Sequence, residues 1–143
     1  MLTGPSSLSV DSKGRIGIPT RHRDRLGSAV VLTADPSGCL LLFTPENWAR
    51  FAEKVAALPN MNPKIRAMQR VWLGCQVEAE IDAGGRMLIP ADLREHAGLG
   101  DVVKLRGMSD RFELWSVEGW ANVVRLAREA YESMPDELLG ISL

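Results

Sequence analysis

The sequence predicts an α+β protein in which two copies of one strand-rich unit pair into a single small β-barrel with pseudo-two-fold symmetry, flanked by amphipathic helices. Two observations support this fold class. A segment that begins at Asp11 recurs 71 residues later, and the sequence between and after the copies has the apolar spacing of amphipathic helices. A unit of about 45 residues buries too little surface to be stable alone, which favours pairing of the two copies.

Identical residues at matched positions define the repeat. Residues 11–19 read Asp-Ser-Lys-Gly-Arg-Ile-Gly-Ile-Pro, and residues 82–90 read Asp-Ala-Gly-Gly-Arg-Met-Leu-Ile-Pro. One added residue near positions 99–100 then moves the offset to 72. Further matched pairs at the offset of 71 are Arg23/Arg94 and Gly27/Gly98, and those at the offset of 72 are Val30/Val102, Val31/Val103, Leu42/Leu114, Phe43/Trp115, Glu46/Glu118 and Trp48/Trp120.

Each copy is predicted to form strand, turn, strand, short helix, strand, turn and strand. In the first copy, residues 7–10 alternate as a half-buried strand does, residues 11–14 have turn chemistry, and residues 15–18 return as a second strand. Pro19 begins a helix at residues 20–26, and Gly27 ends it. The remaining predicted elements are strands at residues 30–33, 40–43, 77–81, 86–89, 102–105 and 112–115, and a helix at residues 91–97.

Three longer helices are predicted at residues 45–58, 64–73 and 117–133, from apolar residues spaced three and four apart. Their apolar stripes are most simply part of the core, and the alternative is packing between subunits. The chain is accordingly divided into a first repeat (residues 5–47), a helical linker (residues 48–73), a second repeat (residues 76–119) and a C-terminal helix with its tail (residues 120–143).

Charge is distributed unevenly between the copies. The whole chain has a formal net charge of -1, which excludes a uniformly basic nucleic-acid-binding surface. Residues 11–26 nevertheless carry a net charge of +3, whereas residues 82–97 carry -1 and residues 116–143 carry -3. Phosphate binding needs clustered positive charge, and the first copy provides it.

The two Asp-x-x-x-Arg units, each with Gly before the arginine and Pro four residues after it, resemble the AbrB-like (SpoVT-AbrB) swapped-hairpin proteins. Two copies in one chain, the Asn62-Pro63 helix start between them, and Asp136-Glu137-Leu138 near a Ser142-Leu143 end resemble the MraZ family. The resemblance implies a DNA-binding transcriptional regulator of the bacterial division and cell-wall gene cluster that assembles into rings. It places the family's motif on Asp11 and Arg15, and on Asp82 and Arg86.

Arg15 is the main candidate for DNA contact. An arginine at the start of a strand after a tight turn can reach a groove and contact a guanine edge or a phosphate. Asp11, four residues earlier, can hold the guanidinium in position. The alternative is that Asp11 and Arg15 form an ion pair that only closes the hairpin, and that Asp82 and Arg86 repeat it. The basic first copy and the resemblance favour DNA contact by Arg15 and a mainly structural role for Asp82 and Arg86.

The other candidate DNA-binding residues surround this motif. Lys13 is at the tip of the turn, and three arginines are on or beside the short helix that follows. Such cations can bind phosphates and so position the protein, and the alternative is that they form a solvated helix face. The predicted DNA-binding set is Asp11, Lys13, Arg15, Arg21, Arg23 and Arg25.

We expect no enzyme activity, no cofactor, no metal site and no small-molecule substrate. The sequence lacks the motifs of common hydrolases, nucleotide-binding enzymes and metalloproteases. His22 and His96 are expected at the surface or in an interface. Cys39 and Cys75 lack CxxC spacing and are predicted to be reduced, partly buried thiols.

The ends and the hydropathy indicate a compartment. The N-terminus has no basic region followed by an apolar one, and no stretch approaches the roughly 18 apolar residues of a membrane span. The sequence therefore predicts a cytoplasmic protein without a membrane partner, and the resemblance to DNA-binding regulators implies that it is nucleoid-associated. Its predicted partners are double-stranded DNA with promoter repeats and further copies of the chain.

Two other functional classes share some of these features. An AbrB-type antitoxin or transition-state regulator would have the same fold and DNA contact, but normally needs a long partner-binding tail. A ring-forming structural protein would need the repeats but not the basic first copy.

Overall fold

The structure, a computed structural model, describes residues 1–133, Asp136 and Gly140, so most of the predicted acidic and apolar tail lies outside the described residues. The described chain contains eight strands: β1 (Pro5–Ser9), β2 (Arg15–Gly17), β3 (Ala29–Ala34), β4 (Leu40–Phe43), β5 (Val77–Glu80), β6 (Arg86–Leu88), β7 (Val102–Gly107) and β8 (Phe112–Trp115). Its helices are α1 (Thr20–Leu26), α2 (Pro45–Ala56), α3 (Pro63–Gly74), α4 (Ala91–Ala97) and α5 (Val117–Ser133).

The strand order confirms the α+β class and the pairing of two repeats. Six strands form one antiparallel sheet in the order β1-β7-β8-β4-β3-β5, and β2 and β6 form a separate antiparallel pair, here called the ribbon. The strands β1, β3 and β4 of the first repeat correspond to β5, β7 and β8 of the second. If each strand is exchanged for its counterpart, the order of the sheet reads the same from its opposite edge. The described strands therefore have the predicted pseudo-two-fold arrangement, with its axis between β4 and β8.

The first strand of each repeat joins the other repeat. β1 pairs with β7, and β5 pairs with β3. The turn at residues 11–14 does reverse the chain, but β1 and β2 meet each other only at one bridge, between Val10 and Ile16. Strand β2 pairs with β6 because its central residue, Ile16, then lies opposite Met87, and both side chains are buried.

One core lies between the sheet and the ribbon. Side chains from both repeats meet there, together with Leu26 of α1 and Leu93 of α4. Leu40 and Leu42 of β4 point into this core, whereas Leu41 and Phe43 point to the other face of the sheet. Since successive side chains of a strand alternate, β4 and nearly all of β3 are buried on both faces, and Thr33 is the one polar residue of these two strands.

The helices α2, α3 and α5 cover the second face of the sheet. Trp48 and Val55 of α2 are buried, as expected for core residues. The core prediction is wrong for the C-terminal half of α5, where Tyr131 is 66% exposed. Thr44 caps α2 by accepting a hydrogen bond from the Asn47 backbone N–H, and α2 ends two residues earlier than predicted, at Ala56.

Within the residues described, no helix is both long enough and apolar enough to cross a membrane.

Replacing Ile16 by alanine tests the role of the ribbon in closing the core. Ile16 is 1% exposed, so its truncation should leave a cavity and lower the free energy of unfolding by about 2–5 kcal/mol in a urea titration. Leu88→Ala is the matched control, because Leu88 is on the same ribbon but 52% exposed. That change should stay within about 0.5 kcal/mol. Equal losses in the two variants would contradict the proposed role.

Candidate nucleic-acid interface

The first arginine-bearing turn, loop 1 (residues 11–15), is organised around the carboxylate of Asp11. Its Oδ1 accepts hydrogen bonds from the backbone N–H groups of Lys13 and Arg15, both at 2.9 Å. Its Oδ2 accepts a hydrogen bond from Arg15 Nε at 2.8 Å. The Asp11 backbone N–H also donates to the Arg15 carbonyl at 2.9 Å. Asp11 therefore fixes both the turn and the direction of the guanidinium.

These bonds lower the pKa of Asp11 to about 2 from its ordinary value of 3.8. The largest cause is the backbone N–H of Arg15, and the Arg15 side chain and the Lys13 backbone N–H add to it. Because hydrogen bonds to an ionised carboxylate favour the charged form, Asp11 stays negative throughout the neutral range.

The second turn, loop 2 (residues 82–86), repeats the backbone geometry but not the ion pair. Asp82 Oδ1 accepts a hydrogen bond from the Arg86 backbone N–H at 2.9 Å, and this bond is the main cause of a lowered Asp82 pKa. Arg86 is exposed, and its guanidinium forms no ion pair with any described residue. Closing the turn therefore requires the aspartate but not the arginine side chain.

The two loops lie side by side and hold each other through the backbone. The Gly85 carbonyl accepts a hydrogen bond from the Ile18 N–H at 2.7 Å, and the Gly14 carbonyl accepts one from the Ile89 N–H at 2.9 Å. Each glycine has a positive φ, +85° for Gly14 and +82° for Gly85, as the turn requires. The two loops are consequently one interlocked unit.

Arg23 and Arg94 pack across the loops in the same reciprocal way. The guanidinium of Arg23 lies 2.8 Å from where a side chain at Gly85 would begin, and Arg94 lies directly over Gly14. Arg94 also donates to the Ile89 carbonyl, and Arg23 donates to Thr20 Oγ1 at 2.8 Å. Sequence reasoning did not select Arg94. The repeat offered a signal for it, because Arg94 matches Arg23 at the same offset of 71 residues that relates Gly85 to Gly14.

The outer face of the ribbon presents both motif arginines. Ile16 and Met87 point into the core, so the residues beside them in the ribbon point outward. Arg15 lies opposite Leu88, and Arg86 lies opposite Gly17. The structure thus brings the first motif, Asp11 and Arg15, next to the second motif, Asp82 and Arg86, although the two motifs are 71 residues apart in sequence.

The remaining predicted DNA-binding residues differ in their exposure and in the hydrogen bonds that they form. Lys13 is exposed at the tip of loop 1. Arg21 and Arg25 are exposed on α1, where Arg21 donates to Ser6 Oγ and Arg25 donates to the Met1 carbonyl. Arg23 is half-buried between α1 and loop 2, whereas Arg21 and Arg25 are exposed.

His22 corrects a prediction, because it is neither at the surface nor in an interface described here. It is 3% exposed, contacts the Phe112 ring edge-on at 4.8 Å, and hydrogen-bonds Ser6 Oγ through Nε2 at 3.1 Å. Burial, together with the nearby charge of Arg21, lowers the pKa of His22 below its ordinary range. A helix of only seven residues turns one side to the core, and His22 lies on that side with Leu26.

The described residues include no group of three or more His, Cys, Asp or Glu side chains arranged to hold a metal ion.

Two swapped-hairpin repeats that share one core and place two Asp-x-x-x-Arg turns on a common face define an AbrB-like protein. The family model described as "MraZ protein, putative antitoxin-like" matches the chain twice, at residues 1–71 and 73–139. The chain belongs to the MraZ family.

Named relatives agree with this assignment. A Transcriptional regulator MraZ of Nitrosomonas europaea is 40% identical, and one of Heliobacterium modesticaldum is 39% identical, each over the full length of both chains. A Transcriptional regulator MraZ of Marinobacter nauticus is 42% identical over 98% of this chain and 97% of its own. The family function that these relatives share with the chain is regulation of transcription.

Replacing Gly85 by alanine tests the interlocked loops. Alanine at a positive φ is strained, and its Cβ would meet the Arg23 guanidinium, so unfolding should become easier by about 1–3 kcal/mol. Gly17→Ala is the control, because nothing lies within 4 Å of the added Cβ there. Its effect should stay within about 0.5 kcal/mol. The measurement is the free energy of unfolding in urea, and equal stability of the two variants would contradict the interlock.

The Asp11 carboxylate predicts a pH dependence in acid. A folded-state pKa of about 2 below an unfolded value of 3.8 stabilises the fold above pH 3.8, and this contribution is lost as the pH falls through about 2. Unfolding of Asp11→Asn should depend less steeply on pH between 4 and 2 than unfolding of the wild type. In Arg15→Ala, NMR titration should find the Asp11 pKa still below 3.8, because the backbone N–H groups remain. A return to 3.8 would contradict the assigned cause.

Proposed function

We propose that the chain is a sequence-specific DNA-binding regulator of transcription that contacts double-stranded DNA with loop 1 and the outer face of the ribbon. The observation that carries this proposal is the pair of arginines on an exposed two-stranded ribbon, with Arg15 oriented by Asp11. A two-stranded β-ribbon fits the major groove, and an arginine there can bind both acceptors of a guanine edge.

The residues of this face have different proposed roles. Arg15 contacts a base edge or a phosphate, and Asp11 is a positioning residue that limits its rotation. Lys13, Arg21 and Arg25 bind phosphates and fix the orientation of the protein on the duplex. Arg23 acts indirectly, because it holds loop 2 in place.

Arg86 extends the proposal to the second repeat. The sequence predicted a mainly structural role, but the Asp82 carboxylate closes loop 2 through the backbone alone. The exposed guanidinium is therefore available for a phosphate of the same groove. The negative charge of the second copy makes this contact secondary to that of Arg15.

One chain offers few contacts, so we propose that binding is multivalent. A ring of copies would present several loop 1 units to successive short repeats of an operator, and linked binding multiplies modest affinities. We propose operators upstream of the protein's own operon, within the division and cell-wall gene cluster, and hence autoregulation. An assembled protein should then bind repeated operator DNA far more tightly than a forced monomer.

The test is a binding titration of Arg15→Ala on operator DNA and on a scrambled duplex, at several salt concentrations. Loss of a base contact should cost about 1–3 kcal/mol on the operator and reduce its preference over the scrambled duplex. Arg125→Ala is the matched control, because Arg125 also forms an i,i+4 ion pair, with Glu129 at 2.8 Å, but on α5. It should bind as the wild type does.

Other outcomes separate the alternatives. Equal weakening on both duplexes, with the salt slope reduced by about one, would make Arg15 a phosphate contact. Wild-type binding that does not distinguish operator from scrambled DNA would contradict the regulator proposal and favour a structural ring. An antitoxin would in addition require a stable complex with a toxin partner.

A further inference from the structure

The outer face of the ribbon carries an apolar side chain beside the motif arginines. Leu88 is 52% exposed, and of the exposed large apolar side chains in the described part of the chain it is the one that lies on the ribbon. It belongs to neither of the two hydrophobic clusters that the described residues form. A single exposed leucine is ordinary on a protein surface, so the position of Leu88 matters here more than its exposure.

Leu88 is the cross-strand partner of Arg15. The two residues lie directly opposite each other in the antiparallel pair of β2 and β6. Both point to the outer face, because the neighbouring pair, Ile16 and Met87, points into the core. The Cβ atoms of such partners are about 4.5–5.5 Å apart, so a surface that meets Arg15 also meets Leu88.

The second motif arginine has a different neighbour. Position 17 of the first repeat matches position 88 of the second, and the pairing of the strands places Gly17 opposite Arg86. A Cβ added at Gly17 would meet nothing within 4 Å, so the fold leaves room for a side chain that the sequence does not supply. The two ends of the outer face are therefore chemically unlike, since an apolar side chain accompanies Arg15 and none accompanies Arg86.

The major groove offers one kind of partner for such an apolar side chain. Each base edge presents hydrogen-bond donors or acceptors there, and the C5-methyl of thymine is the apolar group among them. A leucine against a polar base edge would displace water without replacing its hydrogen bonds, which is costly. Against a thymine methyl, the leucine removes apolar surface from water on both sides of the contact, which is favourable.

We propose that Leu88 is a specificity-determining residue that packs against the C5-methyl of a thymine beside the DNA contact of Arg15. Successive base pairs are about 3.4 Å apart, so the spacing between the two Cβ atoms corresponds to one or two base-pair steps. This inference rests on the proposed function, because it needs the outer face of the ribbon in the major groove. It adds a thymine to the bases that the first motif selects.

The test removes thymine methyl groups from the DNA and leaves its hydrogen-bonding edges unchanged. Two duplexes of the region upstream of the protein's own operon are compared, one with thymine and one with deoxyuridine at every thymine position. The wild type should bind the deoxyuridine duplex at least about fourfold more weakly, which is the factor that one buried methyl group contributes. Fluorescence anisotropy at one fixed salt concentration gives the dissociation constants, because affinity for DNA depends strongly on salt.

Leu88→Ala shows whether Leu88 is the residue that contacts the methyl group. The variant should bind the thymine duplex more weakly than the wild type does, and it should bind the two duplexes equally. A purely structural role of Leu88 would instead weaken binding to both duplexes and leave their ratio unchanged. Leu126→Ala is the matched control, because Leu126 is 49% exposed but lies on α5. It should keep the wild-type preference for thymine.

Two results would overturn the proposal. One is equal binding of the wild type to the two duplexes. The other is a loss on deoxyuridine DNA that is as large in Leu88→Ala as in the wild type, because the methyl groups would then act through the shape of the duplex or through another residue.

Failure of this inference is distinguishable from failure of the proposed function. If the thymine test fails while the wild type still prefers the upstream DNA over a scrambled duplex, and does so through Arg15, the regulator proposal stands and the role of Leu88 is wrong. If the wild type has no preference for the upstream DNA, the regulator proposal fails and this inference fails with it.

Discussion

The exchange of first strands between the two repeats is the constraint on which the rest of the structure depends. Because β1 completes the sheet of the second repeat and β5 completes that of the first, neither repeat has a full sheet without the other. The exchange leaves β2 without β1 as a ladder partner, and β2 pairs with β6 instead. The ribbon, the shared core beneath it and the arginines on its outer face all follow from that pairing.

The same exchange gives each exposed loop a backbone hydrogen bond from the other repeat. Each glycine carbonyl accepts a hydrogen bond from the other repeat, through Ile18 or Ile89, and each turn is closed by its own aspartate. Exposed turns gain order mainly from such backbone bonds, since surface ion pairs contribute little. The Asp11–Arg15 ion pair therefore orients a side chain within a loop that is already fixed. Orientation before binding lowers the entropy lost when a partner is bound.

Much of this arrangement could be predicted from the sequence because its signals are local or periodic. Proline at the first turn and glycine after the last turn gave the limits of α1 and α4, and alternation gave the strands. The repeat itself indicated two equivalent halves. The exchange of strands could not be derived from spacing, because β1 and β2 are joined by a turn that would equally suit a local hairpin. The half-buried position of Arg23 and the burial of His22 also depend on residues that are distant in sequence.

The sequence by itself determined the elements, the duplication and the uneven charge, since each is a property of neighbouring residues or of matched positions. Only the tertiary structure decided which strand pairs with which, and so brought Arg15 and Arg86 to one face. It also decided that α2 is covered by α3 while the end of α5 stays exposed. The physical reason is the same in both cases. Apolar surface is buried wherever the folded chain offers a complementary surface, and that surface depends on contacts between residues far apart in the sequence.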